Sequence, residues 1–279
     1  MENIVLFKSR IGDVTKKDFY DALIKIGAHD CKYLFIHSSL SFGMPNPELS
    51  KKELLGHIIN AIMALNVENI LMPTFTFSFC NREDFDVQNT KSAMGILTEY
   101  FRKMDGVRRS VDPMMSVAMI GKDYSVIDDI ANNSCGENCT FDLLHKKGGC
   151  KFLFLGNRMS DCMTYTHYVE VVEKVPYRYA KEFKGNIINN GISEEKTFFL
   201  DVRYKDIETF YDRRIDDLVL QNGEGKTILL GDTQICIANE VGVYKHLRQA
   251  IKEDPLFMLS KSLPEKYDNF YVYEKKVAL

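Results

Sequence analysis

The chain has 279 residues, 45% of them hydrophobic and 27% charged, with 36 basic against 39 acidic side chains and a net charge of -3. This composition excludes a disordered, fibrous or collagen-like chain, and the near-balance of charge gives no electrostatic ground for binding nucleic acid. No apolar run approaches the ~20 residues of a membrane helix, and Glu2, Lys8 and Arg10 break up the first stretch, so the expectations are no membrane, no nucleic acid and a cytoplasmic location.

Thr15 followed by Asp18, with Phe19, Leu23 and Ile26 on one face, predicts a capped helix over 15–28. Residues 32–37 form a short apolar run, read as a buried strand. Ser50 and Glu53 make a second capping pair ahead of Leu54, Leu55, Ile58, Ile59, Ile62 and Leu65, so 50–65 is a helix. A strand over 69–75, a helix over 94–104, a strand over 116–120 and a helix over 122–131 follow. Next come a helix over 141–146 ended by Gly148-Gly149, a strand over 151–155 and a helix over 163–172. Such alternation predicts a largely parallel sheet covered on both faces. Beyond 175, strands over 183–188 and 196–204 flank the turn Asn189-Asn190-Gly191. A charged helix over 204–220, strand material on either side of Gly231-Asp232 and a last helix over 239–252 complete the chain. The whole reads as one α/β domain, 1–279, with a soft subdivision: a core over 1–175 and an antiparallel, acceptor-shaping part over 176–279.

Two motifs are set aside on spacing. Gly225-Lys226-Thr227 lacks the glycine a phosphate-binding loop needs at position 220, which is Leu, and an apolar strand follows rather than a helix. The seven cysteines are odd in number, and Cys135, Cys139, Cys150 and Cys162 miss the tight pairs of structural zinc sites; they read as free thiols, with no metal expected.

Three segments carry chemistry. His37-Ser38-Ser39-Leu40-Ser41-Phe42-Gly43 leaves the carboxyl end of a buried strand, the usual ligand position in open α/β sheets. Arg108-Arg109-Ser110, with Pro113 and Ser116, suits a phosphate or pyrophosphate, or else is a solvated turn. Thr164-x2-His167-x2-Glu170 places an imidazole and a carboxylate on one helix face, where the carboxylate can orient the ring and raise its basicity; a surface His–Glu pair is the plainer alternative.

The order of these pieces carries a resemblance. His37-Ser-Ser-Leu-Ser-Phe-Gly43 is followed by Met72-Pro73-Thr74-Phe75-Thr76, by Met94-Gly95 with Leu97 and Tyr100-Phe101-Arg102, and by Arg109-Ser110-x2-Pro113-x2-Ser116. Then come Phe141-x-Leu143-Leu144, Gly148-Gly149 and Phe152-Leu153-Phe154-Leu155-Gly156, closed by Thr164-x2-His167-x2-Glu170. Over about 15–175 the chain resembles the aminoglycoside 3-N-acetyltransferase family, acyl-CoA-dependent enzymes distinct from the GNAT acetyltransferases. The resemblance implies an α/β/α sandwich around a mixed central sheet with a C-terminal antiparallel subdomain. It implies acetyl-CoA or another acyl-CoA as co-substrate, bound through Ser38, Ser39, Ser41, Gly43, Arg109, Ser110 and Ser116, and His167, Glu170 and Thr164 as catalytic residues. Asp112 departs from the family's His before that proline, and Thr140-Phe141 from its Ser-Pro pair.

The chemistry asks for a base on the amine, met by His167 held by Glu170, and for donors to the thioester oxygen, met by Thr164 or backbone N–H groups. Direct transfer in a ternary complex is expected, with a thioester on Cys162 as its rival. The acceptor is an amine of an amino sugar or of an aminoglycoside. A polycationic aminoglycoside calls for a dense acidic wall, whereas signs are mixed after 175, and Tyr177, Arg178, Tyr179 and Lys181 suit a nucleotide-linked amino sugar. Thr74, Phe75, Tyr177 and Arg178 are the expected acceptor contacts; a homodimer is a further expectation, and a non-catalytic CoA- or sugar-binding protein is the alternative to an enzyme.

Overall fold

Hydrophobic patterning and local caps account for the elements of the computed structural model, which describes residues 2–205, 207–208 and 212–260. The chain opens with an antiparallel hairpin of β1 (Val5–Ser9) and β2 (Gly12–Thr15) that its short, mixed sequence does not announce. Thr15 and Asp18 then form a reciprocal capping box on α1 (Lys16–Ile26), and Gly27 closes the helix in the left-handed region. β3 (Tyr33–Ser38) is buried through its first five residues. β4 (Met44–Pro45) returns to β1, and Ser50 and Glu53 box the start of α2 (Lys51–Met63). β5 (Asn69–Pro73), β6 (Phe85–Asp86), α3 (Ile96–Phe101), β7 (Arg108–Arg109), β8 (Val117–Gly121), α4 (Ser125–Asp128) and α5 (Thr140–Lys147) follow. After them come β9 (Cys150–Leu155), α6 (Met159–Cys162), α7 (Tyr165–Val172), β10 (Arg178–Asn189) and β11 (Ile192–Arg203). The last elements are α8 (Arg214–Gln221), β12 (Gly225–Leu230), β13 (Thr233–Asn239) and α9 (Glu240–Glu253).

Seven strands form the central sheet in the order β12-β13-β9-β3-β5-β8-β7. Only β9–β3 and β3–β5 pair in parallel; the other four pairings are antiparallel. The expectation of a largely parallel sheet is therefore corrected to a mixed one. A strand buried on both faces reads as a continuous apolar run whichever way its neighbours point, so the run itself carries no direction. Alternate side chains of the central strands feed two cores. Leu34, Ile36, Leu153 and Leu155 pack with Phe19, Leu23, Leu54 and Ile58 of α1 and α2. Tyr33, Phe35, Phe152 and Phe154 pack with Phe141, Leu144, Tyr165, Val169, Val243 and Leu247 of α5, α7 and α9. The result is an α/β/α sandwich, and each fully buried Leu, Ile or Phe in it contributes roughly 1.5–3 kcal/mol.

The hairpin beyond 175 is longer than its apolar stretches, pairing from Arg178↔Arg203 to Asn189↔Ile192, and β6 extends it to three strands. β12 and β13 instead rejoin the central sheet beside β9, so the part after 175 is shared between two sheets. Gly225-Lys226-Thr227 opens β12, as its spacing predicts. Three predicted helices shorten. The 122–131 helix is only Ser125–Asp128, and 163–172 splits at Met163 into α6 and α7. The 204–220 helix survives as α8, with 206 and 209–211 outside the described residues. Asp216 of α8 makes the split possible by accepting the Met159 and Ser160 amides at the start of α6. Among the described residues no helix is long and apolar enough to cross a membrane.

Candidate active site

Segments that follow β5 and β9, with α7 and the open end of the β10–β11 hairpin, enclose a cavity of about 330 Å³. Phe77, Cys162, Thr164, His167, Glu170, Arg178 and Arg203 are among its walls. The position agrees with the rule that ligands of α/β sheets sit beyond the carboxyl ends of parallel strands.

His167 and Glu170 lie one helical turn apart on α7, with Nδ1 2.9 Å from Oε2. Glu170 is fully buried, yet every bond it receives favours the ionised form: Tyr177 Oη donates to Oε1 at 2.7 Å and Arg178 Nη2 to Oε2 at 2.9 Å. Burial alone would raise this carboxyl; the Arg178 guanidinium, then His167 and Tyr177, hold it down at about 2. A carboxylate can only accept, so Nδ1 carries the proton toward Glu170 and Nε2 is left with its lone pair. Burial and then Arg178 push the imidazole below its ordinary value against the opposing pull of Glu170, and the ring is neutral at neutral pH. About 38% of the side chain is open, on a wall of the cavity.

Thr164 precedes the same helix and also lines the cavity. Its Oγ1 is buried with no hydrogen-bond partner, a donor held for something that is not protein. Cys162 lies beside it, but burial pushes its thiol up to about 12, so the nucleophilic thiolate is scarce at neutral pH.

The serine loop is bound to this region through the backbone. Ser39 N–H donates to Leu155 O at 2.7 Å and Ser41 Oγ to Gly156 O at 3.0 Å. Gly156 (φ 76°) permits the approach, since a Cβ there would lie 2.0 Å from Ser39 O. Ser38, Ser39 and Ser41 are at least partly exposed on the loop next to the segment that runs on to Cys162 and Thr164. Gly43 serves a different contact: a Cβ there would meet Lys8 O at 2.6 Å, so it accommodates β1 rather than a ligand.

Several expected ligand contacts are turned inward. Arg109 Nε donates to Thr74 Oγ1 (3.1 Å) and Ser116 Oγ (3.0 Å), Nη1 to Val87 O (3.2 Å) and Thr90 O (2.6 Å), and Nη2 to Thr74 O (2.6 Å). Burial lowers the guanidinium to about 9. Ser110 accepts from Val117 N–H, and Ser110, Ser116, Thr74 and Phe75 are all essentially unexposed. Arg109, Ser110 and Ser116 thus tie β5, β7 and β8 together instead of facing a phosphate. Tyr177 is fully enclosed and serves Glu170, and Arg178 reaches the cavity wall but is committed to Glu170. Asp112 is also internal, accepting the Met114 and Met115 amides and the Ser134 hydroxyl. The cavity walls missed by sequence reasoning are Phe77, Met115, Leu200, Val202 and Arg203. The only signal for the last three was the alternation of a strand whose partner was not known.

The sequence profile of the aminoglycoside 3-N-acetyltransferase family matches residues 56–252. The chain belongs to that family. No curated protein matches it in sequence. Among solved structures the fold is similar to the aminoglycoside acetyltransferase AAC(3)-Xa, with a TM-score of 0.72 and 19% identity over 86% of this chain and 93% of that one. It is similar to AAC-IIIb in binary complex with CoASH (0.71, 16%, 89% and 99%) and to the YokD protein of Bacillus subtilis (0.71, 18%, 86% and 94%). At these identities the likeness shows the fold. As an aminoglycoside 3-N-acetyltransferase family member the chain is an acyl-CoA-dependent N-acyltransferase, with acetyl-CoA as co-substrate.

Proposed function

We propose that this enzyme transfers the acetyl group of acetyl-CoA directly to an amine of an aminoglycoside, with His167 as general base. The observation that carries this reading is the neutral imidazole on the cavity wall, its Nδ1 fixed by a buried, ionised Glu170. The attacking nitrogen forms the C–N bond while its proton passes to His167 Nε2. The thioester oxygen gains charge beside the Thr164 hydroxyl. As the C–S bond breaks, the proton on His167 is returned to the departing CoA thiolate. General base catalysis contributes roughly 10²–10⁴-fold, and an oxyanion donor about 10²–10³-fold. The raised Cys162 thiol argues against an acyl-enzyme. The serine loop over Ser38–Ser41, bonded to the segment that feeds the cavity, is the proposed contact for CoA.

The aminoglycoside acceptor is supported by the family and by the titles of fold neighbours holding sisomicin or a gentamicin. A nucleotide-linked amino sugar is the second reading, and the cavity's charges favour it. Arg178 and Arg203 stand in the wall, Asp161 is held by Arg158 at 2.6 Å, and Glu170 is held by Arg178, so no unopposed acidic wall awaits a polycation. Thiol release from acetyl-CoA, measured against a panel of both acceptor classes with His167→Ala as control, tests the proposal. Turnover on aminoglycosides that collapses in the variant supports the first reading, and turnover confined to nucleotide-linked amino sugars the second. An undiminished rate in His167→Ala refutes the assignment of the base.

A further inference from the structure

Arg178 Nη2 stands 2.9 Å from Glu170 Oε2 and also 2.9 Å from His167 Nδ1, so one guanidinium edge meets both members of the catalytic pair. It is held there: the side chain is only 8% exposed, and Nη1 donates to Asp201 O at 3.0 Å across the hairpin. Nε is buried without a partner, so the whole head group is spent on this one position. Such an arrangement is costly unless the charge is needed, because breaking or misplacing a buried ion pair strands its partner. Arg178 was a candidate acceptor contact by sequence, but its geometry directs it at the base.

We propose that Arg178 is a positioning residue that sets the strength of the base: its guanidinium neutralises Glu170, so the His167–Glu170 pair sheds its proton well below neutral pH. The proposal rests on His167 being the base. With Arg178 absent, the Glu170 carboxylate has only the imidazole to share its charge with, and the pair retains one proton to higher pH. On either member that proton disables the base, because a protonated ring cannot accept and a protonated carboxyl no longer holds Nδ1–H. The other groups facing the ring are few. Glu170 comes from α7, Arg178 from β10, and Asp201 and Arg203 from β11, where Arg203 also weakens the imidazole and burial raises the Asp201 carboxyl. Asp161 and Cys162 come from α6, the former paired with Arg158 and the latter un-ionised, and Tyr177 donates to Glu170. None of them replaces the charge at 2.9 Å from Oε2.

The test is the pH profile of kcat/KM with acetyl-CoA and the best acceptor for the parent, Arg178→Met and Arg178→Lys. It is accompanied by an NMR titration of the His167 ring in each ligand-free protein. The expected result is an acidic limb, and a ring titration, displaced upward by about one pH unit or more in Arg178→Met and mostly restored in Arg178→Lys, with the rate recovering toward alkaline pH. An acidic limb and ring titration unchanged in Arg178→Met overturn the proposal; a loss confined to the acceptor KM returns Arg178 to acceptor binding. Should Arg178→Met fail to fold, an Arg178→Lys protein whose limb moves upward despite its retained charge overturns it, and one whose limb stays put supports it. The separate control is His167→Ala: undiminished activity there defeats the assignment of the base, whereas a dead His167→Ala with an unmoved limb in Arg178→Met defeats only this inference.

Discussion

Arg109 and Arg178 both sit among hydroxyl and carbonyl oxygens, close to segments that carry the family resemblance, and their surroundings differ in one respect. Arg109 meets only neutral acceptors, the carbonyls of Thr74, Val87 and Thr90 and the hydroxyls of Thr74 and Ser116. Arg178 meets a carboxylate and an imidazole on a cavity wall. The first is a five-bond clasp that holds loops to the edge of the sheet; the second adjusts a titratable pair. An arginine next to serines is thus no evidence of a phosphate site until the direction of its five N–H donors is known.

The comparison is broken most sharply by separating activity from stability. His167→Ala is expected to lower kcat/KM at neutral pH by roughly 10²–10⁴-fold while leaving the denaturant midpoint nearly unchanged; an equal loss of stability would make the imidazole structural. Arg109→Met is expected to do the reverse. It leaves the Thr74, Val87 and Thr90 carbonyls short of donors, at a cost of about 3 kcal/mol or more in urea unfolding, with KM for acetyl-CoA in the folded protein unchanged. A raised KM for acetyl-CoA with parental stability would restore Arg109 to the cofactor.

Glu170 sharpens the same contrast through pH. Its carboxyl falls from 4.5 to about 2 on folding, so its stabilisation is fully present above 4.5 and is lost as pH drops through about 2. Acid unfolding of Glu170→Gln should therefore show a shallower loss of stability between these limits than the parent. Parallel curves would mean the ion pair contributes nothing to folding. Tyr177→Phe removes one bond to that carboxylate and is expected to cost about 1.5–3 kcal/mol of stability, with a smaller fall in kcat than His167→Ala. The smallest effect belongs to Ser41→Ala on the exposed serine loop. A bond to Gly156 O worth about 1 kcal/mol is lost there, and KM for acetyl-CoA should rise by a factor of a few; a change in the acceptor KM instead would reassign the loop.

The spacing of His167 and Glu170 was legible because an α-helix brings residues three apart onto one face whatever surrounds it. Thr15 with Asp18 and Ser50 with Glu53 were legible for the same reason, since capping boxes are closed within four residues. Apolar runs located β3, β5, β8 and β9 but could not say which way their neighbours ran. Tyr177 and Arg178 were singled out correctly as site residues and given the wrong partner. The turn after α7, in which Val175 N–H bonds to Glu170 O and Lys174 adopts φ 53°, folds them back beneath the helix. Nothing in their own residue types announces that return.

By itself the sequence determined the local, short-range part of this protein: its caps, its buried runs, its His-x-x-Glu pair and, through the order of its motifs, its family. The tertiary structure alone decided the rest. It chose antiparallel partners for the outer strands, closed Arg109, Ser110, Ser116, Thr74 and Phe75 into the interior, and brought Arg178 and Tyr177 to Glu170. The physical reason is range. A helix turn or a cap is settled by backbone geometry over a few residues, whereas the partner of a buried charge is settled by which distant segment can reach it when the core closes.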